Sequence, residues 1–114
     1  MKILNHTRRC ALADHARLAD TFLSRLVGLL NRDRLDQGEA LVITRCQQIH
    51  MFFMRFAIDA VFVDASGLVV GLVENIKPNG LSAIFWRSNR VIELPSGVIA
   101  RTKTSVGDQI QFLA

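Results

Sequence analysis

Apolar residues recur at every second position along the middle of the chain. From Phe52 to Phe62 all the even positions are apolar. A period of two is typical of a β-strand. A strand over 52–63 would be about 40 Å long, roughly twice the usual length. We therefore predict a strand there with a break near Phe56 or Ala57.

One segment has helical spacing instead. Asp20 is a suitable N-cap residue, and the polar and basic run 31–34 is typical of a helix C-terminus. Between them, apolar residues recur at the spacing of a single helical stripe, namely Phe22, Leu23, Leu26, Val27, Leu29 and Leu30. The sequence predicts one main helix that packs through this stripe.

Shorter apolar runs bounded by turn residues predict further strands. Turn residues at 64–67 join the central strand to the run 68–73 as a hairpin. The other expected elements are an opening hairpin of 2–5 and 10–16, strands over 40–44, 90–94 and 109–112, and a helical turn over 98–104. Several strands with one helix favour a β-rich α+β fold, either a small curled sheet or a partial barrel with the main helix packed against it.

Length and composition indicate a globular protein. The chain has 114 residues, half of them hydrophobic and 21% charged. This is enough for one domain over 1–114 with a core of its own, and it argues against disorder. No apolar stretch approaches the roughly 20 residues of a membrane span, and no secretory signal is visible. We expect a soluble cytoplasmic protein that makes no membrane contact, with both cysteines reduced.

Charge and motif spacing narrow the function classes. The net charge of +4 permits binding of an anion. The basic residues are scattered and tyrosine is absent, so we expect no nucleic-acid partner. Glycine-rich phosphate loops are missing, so we expect no cofactor. Cys46 and His50 could supply two metal ligands, but a zinc site needs three or four, and we predict no metal.

Four motifs resemble one known family. They are Arg25-Leu26-Val27-Gly28-Leu29, Phe53-Met54 followed by 58–64, the run 92–97, and Gly107-Asp108. In this order, over nearly the whole chain, they resemble domain-of-unknown-function family 192 of bacteria and archaea. The resemblance implies a compact β-rich fold with helices at its side and a protein of bacterial type. It implies no established activity.

Charged residues within apolar strand sequence are the strongest site candidates. Arg55, Asp59 and Glu93 need partners there, and Arg25 on the predicted helix could supply one. These charges could form a structural network that ties the helix to the sheet. They could also form a binding site, and our functional hypothesis is a binding or accessory module that holds a small anionic ligand or a partner group.

Two alternatives remain open. Asp59 and Glu93 could be the general acid and base of a small enzyme, with Arg55 stabilising developing negative charge. Phe85 and Trp86 end an apolar run that lies between polar loops. If these rings are exposed they form a patch for a protein partner, whereas if they fold back they close the core.

Overall fold

Strands make up most of the ordered secondary structure. A computed structural model describes residues 1–21, 29 and 32–114. The elements are β1 (Lys2–Asn5), β2 (Cys10–Ala13), β3 (His15–Ala19), β4 (Glu39–Thr44), β5 (Ile58–Val63), β6 (Val69–Ile76), β7 (Arg90–Pro95), α1 (Val98–Thr102) and β8 (Ile110–Leu113). The predicted β-rich character is confirmed. The predicted main helix falls, apart from its ends and Leu29, outside the described residues.

The strands form two sheets, and within the described ranges neither closes into a barrel. The larger sheet has the order β3-β4-β7-β5-β6, and the smaller one has the order β2-β1-β8. β3 and β4 run parallel, and all the other neighbours are antiparallel. β3 and β6 are therefore the edges of the larger sheet.

The central strand β5 is buried along its whole length. Val61 and Val63 face a core that contains residues of both sheets and of α1. Ile58, Ala60 and Phe62 face a second core on the other side of the larger sheet. Successive side chains of a strand point to opposite faces, so the alternation that predicts this strand also assigns its residues to the two cores.

Residues 52–57 are not a strand, and that part of the prediction is wrong. The backbone N–H of Met54 donates to the carbonyl of Met51 at 3.2 Å, and Phe53 has a φ of 65°. An extended strand cannot pass through a residue with this φ. The predicted break is confirmed, because regular strand pairing begins only at Ile58.

The predicted hairpin of β5 and β6 is confirmed. Its turn is stabilised by the Asp64 carboxylate, whose Oδ1 accepts the N–H groups of Ser66 at 2.9 Å and Leu68 at 3.0 Å. Gly67 has a φ of 90°, which favours glycine. The short helical turn predicted after Gly97 is also present, as α1.

Candidate functional site

Asp59 is a structural residue in the described fold. Its side chain on β5 is completely buried. Oδ2 accepts hydrogen bonds from the backbone N–H groups of Gly97 at 3.1 Å and Ile99 at 2.9 Å, and Oδ1 accepts one from Asn75 at 2.8 Å. Gly97 and Ile99 begin α1, and N–H groups at the start of a helix need acceptors from outside it. Both carboxylate oxygens therefore tie β5 to its neighbours.

Glu93 on β7 faces the opposite side of the sheet. Glu93 pairs in register with Ala60 and Leu41, whereas Asp59 pairs with Leu94. Residues paired across strands share a face, so the two carboxylates point away from each other. They cannot act as acid and base on one substrate.

The Glu93 carboxyl group lies among apolar neighbours of the second core. Its residue is 7% exposed, and none of the described residues donates a hydrogen bond to it. This burial raises the pKa of Glu93 to about 7, because a carboxylate loses its hydration in such surroundings. Glu93 is the most perturbed acidic group in the described part of the chain.

Arg55 lies on the loop before β5 and not in the sheet. Its Nη1 donates to Oδ1 of Asp33 at 2.7 Å, and both side chains are largely exposed. Arg25 is outside the described residues. The structure therefore does not bring Arg55, Asp59 and Glu93 together in one cluster.

Cys46 and His50 have separate contacts. Sγ of Cys46 lies 3.2 Å from the carbonyl oxygen of Gln48, and the His50 ring stacks on Phe52 with 4.9 Å between centroids. Among the described residues no group of three or more His, Cys, Asp or Glu is placed to hold a metal ion.

Phe85 and Trp86 have different environments. Phe85 folds back on the second core, with its ring centroid 4.4 Å from that of Phe62. Its ring lies against Gly71 of β6, where any Cβ would overlap it. Trp86, the next residue, is 73% exposed. One ring thus closes the core, and the other faces solvent.

The backbone around these rings is ordered by hydrogen bonds between two segments, 47–54 and 79–86, which we call the apolar ribbon. The N–H of Phe85 donates to the carbonyl of Gln47 at 2.8 Å, and the N–H of Met51 donates to that of Gly80 at 2.8 Å. The Ser82 hydroxyl also accepts the N–H of Ile49 at 3.0 Å. The ribbon exposes five large apolar side chains, Phe52, Phe53, Leu81, Ile84 and Trp86.

A shallow depression lies where the apolar ribbon meets the sheet edge. It has a volume of about 320 Å³ and is lined by Val70, Ile84, Phe85, Trp86 and Arg87. Val70 belongs to β6, the edge strand. Along 70–74, no described residue forms a backbone hydrogen bond with the outer side of β6. The depression therefore adjoins an open strand edge.

The family is decided by the match to known proteins. The model of the family DUF192, described as "Uncharacterized ACR", matches residues 3–112. The chain belongs to DUF192. The resemblance found in the four sequence motifs is thus confirmed.

Curated relatives agree with this DUF192 membership, and a solved structure shares the fold. A UPF0127 protein of Thermococcus sibiricus is 31% identical over 114 residues, covering 96% of this chain and 73% of the relative. A UPF0127 protein of Pyrococcus horikoshii is 32% identical, and the match covers 96% of this chain and 97% of that relative. A Novosphingobium aromaticivorans protein of unknown function has the same fold, with a TM-score of 0.84 at 21% identity, covering 97% of this chain and 84% of that one.

The relatives bear on one expectation and the described fold on another. Both curated DUF192 relatives named here are archaeal, and they do not support the expected bacterial type. In the described ranges no helix is long and apolar enough to cross a membrane.

Two residues of the depression in this DUF192 domain, Val70 and Arg87, were not predicted from the sequence. The apolar run that ends at Phe85 and Trp86 was a usable signal. Val70 has the same pattern as any residue of an apolar strand, and only the sheet order shows that its strand is an edge.

Proposed function

We propose that this DUF192 domain is a protein-binding module that takes an extended segment of a partner beside β6, with Trp86 as the main anchor. The supporting observation is that Trp86 is 73% exposed on a hydrogen-bonded backbone next to an open strand edge. Exposed apolar groups held in place in this way are typical of interaction sites. Tryptophan and arginine are also the residue types that most often dominate binding energy.

The open edge of β6 supplies the backbone half of the proposed interaction. An edge strand has N–H and C=O groups that can pair with another chain. An extended segment added there gains main-chain hydrogen bonds, and its alternate side chains reach neighbouring depressions. The depression by Trp86 would take one apolar side chain of the added segment.

Arg87 gives the site its charge preference. It is exposed at the rim of the depression, and no described residue forms an ion pair with it. A guanidinium group at a rim favours acidic partners and speeds their association. The preferred partner segment is therefore extended, with an apolar residue for the depression and an acidic residue close to it.

The other two hypotheses have less support from the geometry. Both carboxylate oxygens of Asp59 accept hydrogen bonds from backbone N–H groups. Arg55 forms an exposed ion pair with Asp33. Glu93 faces the other side of the sheet from Asp59. A shared anion site and an acid–base pair would both need these groups to converge.

Selection from a random peptide library tests the proposal. Peptides enriched on the wild-type domain should combine an apolar and an acidic residue. Calorimetry should show binding to Trp86→Ala weakened by about 30-fold or more, the equivalent of about 2 kcal/mol for a dominant anchor. Phe53→Ala, which removes another exposed ring of the ribbon, should bind as the wild type does.

Hydrogen exchange locates the bound segment. We expect the amides of 70–74 to be slowed when a selected peptide binds, since a paired edge protects its N–H groups. Equal affinity for Trp86→Ala and wild type, or protection confined to another part of the chain, would refute the proposed site.

A further inference from the structure

We infer that the turn between β1 and β2 forms a second site, for a small organic anion, in which Arg9 supplies the charge and Thr7 a hydrogen-bond donor. This site is independent of the proposed partner surface. It rests on a cavity, a turn held by hydrogen bonds and an unpaired arginine that faces the cavity.

The floor of the cavity is the outer face of the smaller sheet. Leu4 pairs in register with Ala11 on one side and with Gln111 on the other, so the three side chains form one row. They line a cavity of about 520 Å³, together with residues of the turn. This volume falls in the usual range of about 300 to 1,000 Å³ for small-molecule sites.

A buried polar network holds the turn beside this floor. Asn5 is completely buried, and its Nδ2 donates to Thr104 Oγ1 at 3.1 Å and to Asp108 Oδ2 at 3.0 Å. Its Oδ1 accepts the backbone N–H of Arg8 at 3.0 Å. The Arg8 side chain donates to Asp108 at 3.0 Å, so the charge of Arg8 is neutralised within the network.

The polar side chains that face the cavity remain available. Arg9 and His6 both line it and are exposed, and neither side chain forms a hydrogen bond or ion pair with any described residue. The cavity lining contains no acidic residue. An anion would therefore meet unopposed positive charge at this turn.

Thr7 adds a directed donor. Its Oγ1 accepts the backbone N–H of Gln109 at 2.8 Å, which fixes the oxygen and leaves its own O–H able to donate. Arg9 has a φ of 55°, a backbone conformation that non-glycine residues seldom adopt and that the surrounding structure must maintain. The turn thus presents Arg9 and Thr7 from a fixed backbone.

These groups select a ligand class. Arginine binds carboxylate and phosphate through parallel N–H donors, while Leu4 and Ala11 offer an apolar floor. The matching ligand is a compact anion with an apolar body. Its charged group could be a carboxylate or a phosphate. Two test compounds that have the same phenyl ring but differ in the charged group distinguish these two possibilities.

Benzoate and phenyl phosphate are the probes, titrated into the full chain labelled with ¹⁵N. We expect one or both to shift the amides of 4–11 and 111, and the tighter probe identifies the anion class. Arg9→Gln should weaken that probe at least tenfold, while Arg17→Gln, which removes an exposed arginine on β3, should leave its affinity within twofold. Binding should also weaken with salt.

Three results would overturn the inference. One is the absence of shifts with either probe at about 10 mM, where even a millimolar Kd gives near saturation. Another is equal weakening by Arg9→Gln and Arg17→Gln, which would indicate general charge attraction. The third is a set of shifts that excludes the turn. An unchanged amide spectrum outside 4–11 confirms that Arg9→Gln is folded.

Discussion

Glu93→Gln replaces a buried carboxyl group on β7 by an amide of nearly the same shape. Burial raises the pKa of Glu93 from 4.5 to about 7, whereas in the unfolded chain this pKa returns to its ordinary value. Between these two pH values the folded protein holds a proton that the unfolded chain has released. The contribution of Glu93 to the free energy of unfolding therefore falls as pH rises through this range.

The size of this fall follows from the two pKa values. Each pH unit between the two pKa values lowers the free energy of unfolding by about 1.4 kcal/mol. The total loss is therefore about 3 kcal/mol at and above pH 7. Glutamine does not titrate. We expect the stability of Glu93→Gln relative to wild type to rise by about 3 kcal/mol from about pH 4.5 to about pH 8.

Urea denaturation of both proteins at several pH values in this range measures the difference directly. Glu74→Gln is the matched control, because Glu74 is an exposed carboxyl group on β6, an edge strand of the same sheet, and its difference from wild type should not follow the same rise. A flat difference for Glu93→Gln over this range would refute the reasoning. It is the result expected if a cation such as Arg25 neutralises Glu93, because the pKa of Glu93 would then not be raised.

Three further substitutions test the structural roles described above by urea denaturation. Asp59→Asn should cost about 2 to 4 kcal/mol, because an amide has only one oxygen for three backbone donors; a cost below 1 kcal/mol would contradict the capping role. Gly71→Ala should cost about 1 to 3 kcal/mol by displacing the Phe85 ring, and an unchanged stability would show that the ring yields freely. Arg55→Ala should cost less than about 1 kcal/mol, because its ion pair with Asp33 is exposed. A larger loss would indicate that Arg55 belongs to a structural charge network.

The strands with the strongest alternation were predictable from sequence, and β3 was not. In β3 the two buried side chains are Ala16 and Ala19, while Leu18 is 49% exposed. Because the buried residues are small and the exposed one is large and apolar, the buried and exposed positions of β3 differ little in hydrophobicity. The parallel pairing of β3 with β4 stabilises it, and pairing between distant segments leaves no local periodicity.

The error at 52–57 has a different cause. Its apolar residues alternate as a strand would, but Phe52 and Phe53 lie exposed on the apolar ribbon, whereas Met54 and Phe56 pack against the second core. Periodicity shows only the positions of the apolar residues along the chain. Whether those residues are buried depends on which other parts of the chain pack against them.

The candidate site was predictable only in part. That a charge at Asp59 needs partners was foreseeable from its apolar surroundings. Its partners are backbone N–H groups 16, 38 and 40 residues away, and backbone groups carry no residue-specific signal. The separation of Asp59 from Glu93 depends on strand register, which is set by the fold as a whole.

The buried Asn5 amide also bears on how the protein is made. Its partner Asp108 is 103 residues further along the chain, and β1 lies between β2 and β8. While the chain is being synthesised, β1 and β2 leave the ribosome long before β8 does. Pairings between such distant segments are slow to form, so we expect this sheet to be completed only after translation has passed β8.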